Sequence, residues 1–117
     1  MVDMDALNAK IAALKADYLL KMPEHLALYR TLSERLLSEV GQDVPDIIEE
    51  IRNYAHKLSG SAGSYGFMEI GEAAMKVDTS CTDILKDSDY ADDVINDLSL
   101  LIFAVVKAIE DEIENAG

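Results

Sequence analysis

The sequence predicts an all-α protein, an up-down antiparallel four-helix bundle with an additional N-terminal capping helix. Apolar residues recur at three-to-four-residue spacing along almost the whole chain, no stretch alternates with the two-residue period of a strand, and the connections between periodic segments are short. A chain of 117 residues, 50% of them apolar, can bury a core of its own. Residues 1–117 are therefore expected to form one domain.

The first helix carries Leu7, Ile11, Leu14 and Tyr18. The second opens at Pro23, whose fixed φ suits a first helical position, and carries Leu26, Tyr29, Leu32 and Leu36. Gly41-Gln42-Asp43-Val44 reads as a turn. Pro45 with Asp46 behind it opens a third helix, with Ile47, Ile51, Tyr54, Leu58, Ala62 and Tyr65 as its apolar positions and Gly66 as its left-handed stop. The fourth runs through Ile70, Ala73, Ala74, Val77, Cys81 and Ile84 and ends in Lys86-Asp87-Ser88-Asp89. The fifth, strongly amphipathic, carries Val94, Leu98, Leu101, Val105, Ile109 and Ile113. Each of these apolar residues is expected to pack in the core.

Charge and cysteine usage narrow the function. With 23 acidic and 10 basic residues the net charge is −13, which repels nucleic acid phosphates and anionic membranes at long range, so proteins are the expected partners. The longest apolar stretch, Leu98 to Val106, is too short to span a bilayer, and the acidic start Met1-Val2-Asp3-Met4-Asp5 is unlike a secretory signal. A lone Cys81 excludes an internal disulfide and suits a reducing compartment, so a cytoplasmic location is expected. The acidic start and the Asn115-Ala116-Gly117 end read as those of a complete chain, while a place inside a larger hybrid protein stays open.

The third helix has a second face. On a wheel of about 100° per residue, Glu49, Arg52, Asn53, Ser59, Gly60 and Gly63 lie within about 60° of His56, while Ile47, Leu58 and Tyr65 lie nearly opposite. His56 is thus expected to be exposed. Two interior glycines cost about 1 kcal/mol each relative to alanine, and Gly60 and Gly63 stand one and two turns beyond the histidine on its own face. Removing side chains there clears room for another protein to bring a reacting group to the imidazole. The other reading of the glycines, close helix packing, is disfavoured because they face away from the apolar stripe. His25, just after Pro23-Glu24, has no such face around it and is read as structural or solvated.

The run Ala55-His56-Lys57-Leu58-Ser59-Gly60-Ser61-Ala62-Gly63-Ser64-Tyr65-Gly66-Phe67 resembles the signature of the histidine phosphotransfer (Hpt) domain family, and Met68-Glu69-Ile70-Gly71-Glu72-Ala73-Ala74 looks like the start of that family's next helix. The resemblance implies that His56 is the phosphorylated histidine and that Gly60 and Gly63 keep its surroundings open. It also implies a receiver domain of a response regulator as partner, with a hybrid sensor histidine kinase upstream. Many members carry lysine three residues after the histidine, where this chain has Ser59. Arg52 and Lys57 are then the cations expected near a phosphoryl group, unless they simply balance Glu49 and Glu50.

The chemistry agrees with that expectation. A neutral imidazole, with an ordinary pKa of about 6.5, is a nitrogen nucleophile that needs no added base. Phosphoryl transfer relies on in-line positioning and charge stabilisation, and the chain has neither a Gly-rich nucleotide loop nor a kinase metal cluster. No ATP site, metal or other cofactor is expected on it; Mg²⁺ is expected on the partner receiver domain. The protein is expected to be a monomeric phosphoryl carrier rather than an independent enzyme. A metal site would want ligands at i+3 or i+4 from His56, where Arg52, Asn53, Ser59 and Gly60 stand instead. The principal alternative is a non-catalytic helical adaptor of the same fold that binds signalling partners without phosphorylation.

Overall fold

The structure, a computed structural model, describes residues 3–38 and 43–116. Five helices follow one another: α1 (Met4–Leu20), α2 (Met22–Ser38), α3 (Val44–Ser64), α4 (Met68–Asp87) and α5 (Asp92–Ala116). There is no strand among the described residues. Of the expected turn, Gly41 and Gln42 lie outside the described residues.

Helices α2 to α5 close a ring of antiparallel neighbours, α2 against α3, α3 against α4, α4 against α5 and α5 back against α2. Their apolar stripes meet in one cluster, with Tyr29, Leu32, Ile48, Ile51, Leu58, Ile70, Val77, Leu98, Ile102 and Ile109 essentially sealed from solvent. The helix pair α3–α4 is the most intimate, and its cause is a small residue. A Cβ added at Gly71 would stand 3.4 Å from both the Gly63 nitrogen and the Ser59 carbonyl oxygen, so α4 rests there directly on the α3 backbone. Leu26, Tyr54, Tyr65, Ala73, Val94, Leu101 and Ile113 flank the core half-buried. Met22 adds a buried side chain that the periodicity of α2 did not mark.

The ends of α3 and α4 obey their local chemistry. Gly66 takes φ +84°; its N–H donates to the Gly63 carbonyl at 3.1 Å, and the Phe67 N–H donates to the Ala62 carbonyl at 2.8 Å. That pair of bonds satisfies carbonyls that the helix end would otherwise strand, and it reverses the chain within three residues. At the end of α4, Ser88 adopts the left-handed region at φ 52°.

Helix α1 departs from the expected core. Asp3 caps it by accepting from the Asp5 and Ala6 N–H groups at 3.1 and 3.2 Å, but Leu7, Ile11 and Leu14 are exposed and the helix buries no residue. The reason is where it is anchored. Its C-terminal part alone meets the bundle, where Lys15 reaches over Gly66 and Tyr18 stacks on Tyr65 at 4.5 Å and on Phe67 at 5.7 Å and shares a 2.7 Å hydrogen bond with the Ser61 hydroxyl. From that point the helix runs away from the core, and the molecule reaches 58 Å in its longest dimension. By contrast α5, with 25 residues, spans only about 37 Å.

Candidate functional site

His56 stands in the fourth turn of α3 with its side chain 72% exposed, as the wheel predicts. The core residues Ala55 and Leu58 on either side of it hold the helix down, which leaves the imidazole no apolar surface to fold onto. One contact orients it. The His56 Nδ1 lies 2.9 Å from Oδ2 of Asp78, a carboxylate on α4 whose side chain is only 20% exposed. An ionised carboxylate only accepts, so with Asp78 charged the ring nitrogen Nδ1 is the donor, and in the neutral imidazole the lone pair is left on Nε2. The outward nitrogen is the nucleophilic one.

Asp78 was not among the sequence candidates. It lies 22 residues from His56, and only the packing of α4 on α3 brings the two together. A signal existed: Asp78 follows Gly71 and Ala74 by seven and four residues, so it is an acid on the very stripe that α4 turns toward α3.

The remaining candidates divide into open and committed groups. A Cβ at Gly60 or at Gly63 would meet nothing within 4 Å, so both glycines leave free space on the histidine face. The close helix contact is made from the other side, by Gly71 against the backbone of Ser59 and Gly63. The Ser59 hydroxyl donates to the His56 carbonyl at 2.9 Å, and that of Ser64 to the Gly60 carbonyl at 3.0 Å. Ser59 is thus tied back to its own helix rather than held toward the ring.

The Arg52 guanidinium donates to Glu49 at 2.6 Å and to Asn53 Oδ1 at 3.2 Å. That hydrogen bond, together with the charge of Glu49, holds its pKa above the usual arginine value. Lys57 is exposed and takes part in none of the described ion pairs. Phe67, which closes the motif after the Gly66 stop, is buried under Tyr18 and offers no surface to a partner.

Two further groups border the site, one from inside and one on the surface. Burial pushes the Cys81 thiol up to about 12, with Asp78 adding to the shift, so this side chain behaves as a small core hydrophobe. On the surface of α4, Met75 stands one turn before Asp78 and is 59% exposed. No group of three or more His, Cys, Asp or Glu side chains that could hold a metal ion occurs among the described residues, and none of their helices is long and apolar enough to cross a membrane.

Comparison with known proteins places this arrangement. No curated protein and no solved structure matches the chain significantly. The sequence profile of the Hpt domain, however, matches residues 13–116, a span that holds α2 to α5, the anchoring turn of α1 and every residue of the His56 face. The chain therefore belongs to the Hpt domain family, whose members are phosphoryl carriers in the phosphorelays of two-component signalling.

Proposed function

We propose that the protein is a phosphorelay intermediary in which His56 takes a phosphoryl group from the aspartate of one receiver domain and passes it to another, downstream of a hybrid sensor histidine kinase. The observation that carries this reading is the pairing of an exposed Nε2 with an Nδ1 anchored on Asp78. The Nε2 lone pair attacks phosphorus as the acyl phosphate P–O bond breaks and its electrons return to the departing carboxylate. The ring keeps its Nδ1 proton throughout and becomes an N-phosphoimidazolium facing Asp78. No general base is needed, because no proton has to leave. In the reverse step a carboxylate attacks phosphorus and the P–N electrons return to Nε2.

The rest of the catalysis belongs to the partner. His56 sits on a convex helix face, so Mg²⁺ and the aspartate come with the receiver domain, and the chain itself uses neither ATP nor metal. Gly60 and Gly63 give that domain room beside the ring. Lys57 and Arg52 are the nearest cations in sequence to the transferred group, with Arg52 partly neutralised by Glu49. Relays of this kind operate in the cytoplasm, which suits the free thiol of Cys81.

The test is direct transfer. Wild-type protein incubated with a phosphorylated receiver domain should acquire acid-labile, base-stable label, and His56→Gln should acquire none. Label on the variant, or none on the wild type across a panel of receivers, would overturn the proposal; the second result would leave a non-catalytic adaptor.

A further inference from the structure

Helices α4 and α5 part along their outer faces and leave a cleft of about 730 Å³. Its floor is apolar, with Ile84 and Val94 toward one end, Leu101 midway along it and Met75, 59% exposed, toward the other. Between these residues α4 presents Thr79 and Ser80, whose short side chains keep the trough open. From Glu72 to Asp87 the trough follows α4 for about 22 Å, the length of a four-turn helix. A smaller cleft of about 230 Å³ lies between α2 and α5 beside Leu37 and Phe103, and there Arg30 is already paired with Glu110.

The charges around the larger cleft select its occupant. Glu72, Asp83 and Asp87 share an arc of about 60° on the outer side of α4, and none of them forms an ion pair among the described residues. Asp89 has a local task, accepting from the Ala91 N–H at 3.2 Å. Across the cleft, exposed Asp97 lies one turn from both Val94 and Leu101. From Asp87 to Val106 the chain holds five aspartates and no basic residue, and Lys76 is the single cation among the described lining residues. An apolar floor between two acidic edges matches a helix whose apolar face is flanked by Lys and Arg. A second copy of this chain would instead bring a further net charge of −13 against the same acids.

We infer that the α4–α5 cleft is a docking site for a basic amphipathic helix of a partner protein, about four turns long. It involves neither His56 nor Asp78, so it tethers a partner to the protein without using the histidine. One helix in one groove covers less than the ~1,200 Å² of a stable complex, so the contact is weak, and its ionic part is sensitive to salt.

The probes are two panels of helical peptides of about 16 residues, with Leu, Ile, Phe or Met spaced three and four residues apart, one panel flanked by Lys and the other by Glu. In titrations followed by amide NMR, Lys-flanked peptides should bind in the micromolar range and shift signals of α4 from Glu72 to Asp87 and of α5 from Val94 to Leu101. Glu-flanked peptides should not bind. Met75→Ser should weaken binding about tenfold through lost apolar contact, and Asp83→Lys with Asp87→Lys about tenfold through charge. Glu34→Lys with Glu114→Lys, an equal change in net charge away from the cleft, should leave it unchanged. These positions are all exposed, so the bundle is intact in each variant, which circular dichroism verifies.

No binding across the Lys-flanked panel overturns the inference, as does equal binding by the Glu-flanked panel. Equal weakening by the two double reversals would mean attraction to the whole molecule rather than to the cleft, and shifts centred on His56 or on Leu37 and Phe103 would place the peptide elsewhere; either result overturns it. A protein that dimerises by itself in sedimentation, and no longer does so as Met75→Ser, would give the cleft to a second copy and overturns it too. The titration contains no phosphoryl donor, so its failure leaves the reading of His56 untouched.

Discussion

On the proposed function, the decisive quantity at His56 is which ring nitrogen is free, and Asp78 decides it by occupying Nδ1. A hydrogen bond to a charged group contributes about 1.5–3 kcal/mol, and a tenfold rate change corresponds to 1.36 kcal/mol. Asp78→Ala should therefore slow phosphoryl transfer about tenfold to a hundredfold, and Asp78→Asn, which can still accept but carries no charge, about tenfold. Rapid-quench transfer kinetics check this, and wild-type rates in both variants would remove Asp78 from the mechanism. The second histidine acts on stability instead. Partial burial at the start of α2 holds His25 below its ordinary 6.5, with Glu24 opposing the shift and Lys21 adding to it. The unfolded chain then binds the extra proton first. His25 contributes to stability above about pH 6.5, and that contribution is lost as pH falls through this value toward the lower folded pKa. Thermal melts between pH 7 and pH 5 should lose part of their slope in His25→Gln; an unchanged slope would rule the effect out.

At the scale of the helix, glycines on the facing helices α3 and α4 act in opposite senses. Gly60 has open space where a Cβ would stand, so Gly60→Ala should stabilise the fold by about 1 kcal/mol while slowing transfer, because on the proposed reading the added methyl lies on the face that the receiver approaches. Gly71 lies against the α3 backbone, so Gly71→Val should cost about 1–3 kcal/mol through overpacking. Denaturant melts distinguish them, and equal effects at the two sites would contradict the packing described. Helices α3, α4 and α5 were legible because each carries one continuous apolar stripe and clear punctuation: Pro45 at a start, Gly66 and Ser88 at stops. In α1 the large apolar residues keep helical spacing, but Ala6, Ala9, Ala13 and Ala16 make its other side apolar too, so spacing alone places it in the core, because periodicity does not report what covers a face. His56 could be found from neighbours on its own helix. Asp78 could not be paired with it, since that contact is a property of two helices and depends on Gly71 letting them approach.

At the scale of the molecule, the bundle and the projecting helix are nearly separate in energy. Residues before Tyr18 bury nothing, whereas Tyr18 itself joins an aromatic stack and a buried-edge hydrogen bond. Deleting residues 1–12 should move the melting temperature of the dilute protein by less than about 3 °C, while Tyr18→Ala should cost about 2 kcal/mol. A large loss on truncation would show that α1 supports the fold along its length. Surface ion pairs such as Arg35 with Glu50 at 3.0 Å, and Arg30 with Glu110, link α2 to α3 and α5, but exposed pairs of this kind contribute at most about 1 kcal/mol each. Cohesion comes from the apolar ring, which leaves the outer faces of α3 and α4 available for partners.

The exposure of His56 also sets a clock. On the proposed reading, a phosphoryl group carried there has no lid over it, and water competes with every receiver from the moment of loading. Stored signal then decays at the hydrolysis rate of an open phosphohistidine, so a partner that arrives late receives nothing. The carrier transmits sustained input and forgets brief input, a temporal filter that follows from a side chain left 72% in solvent.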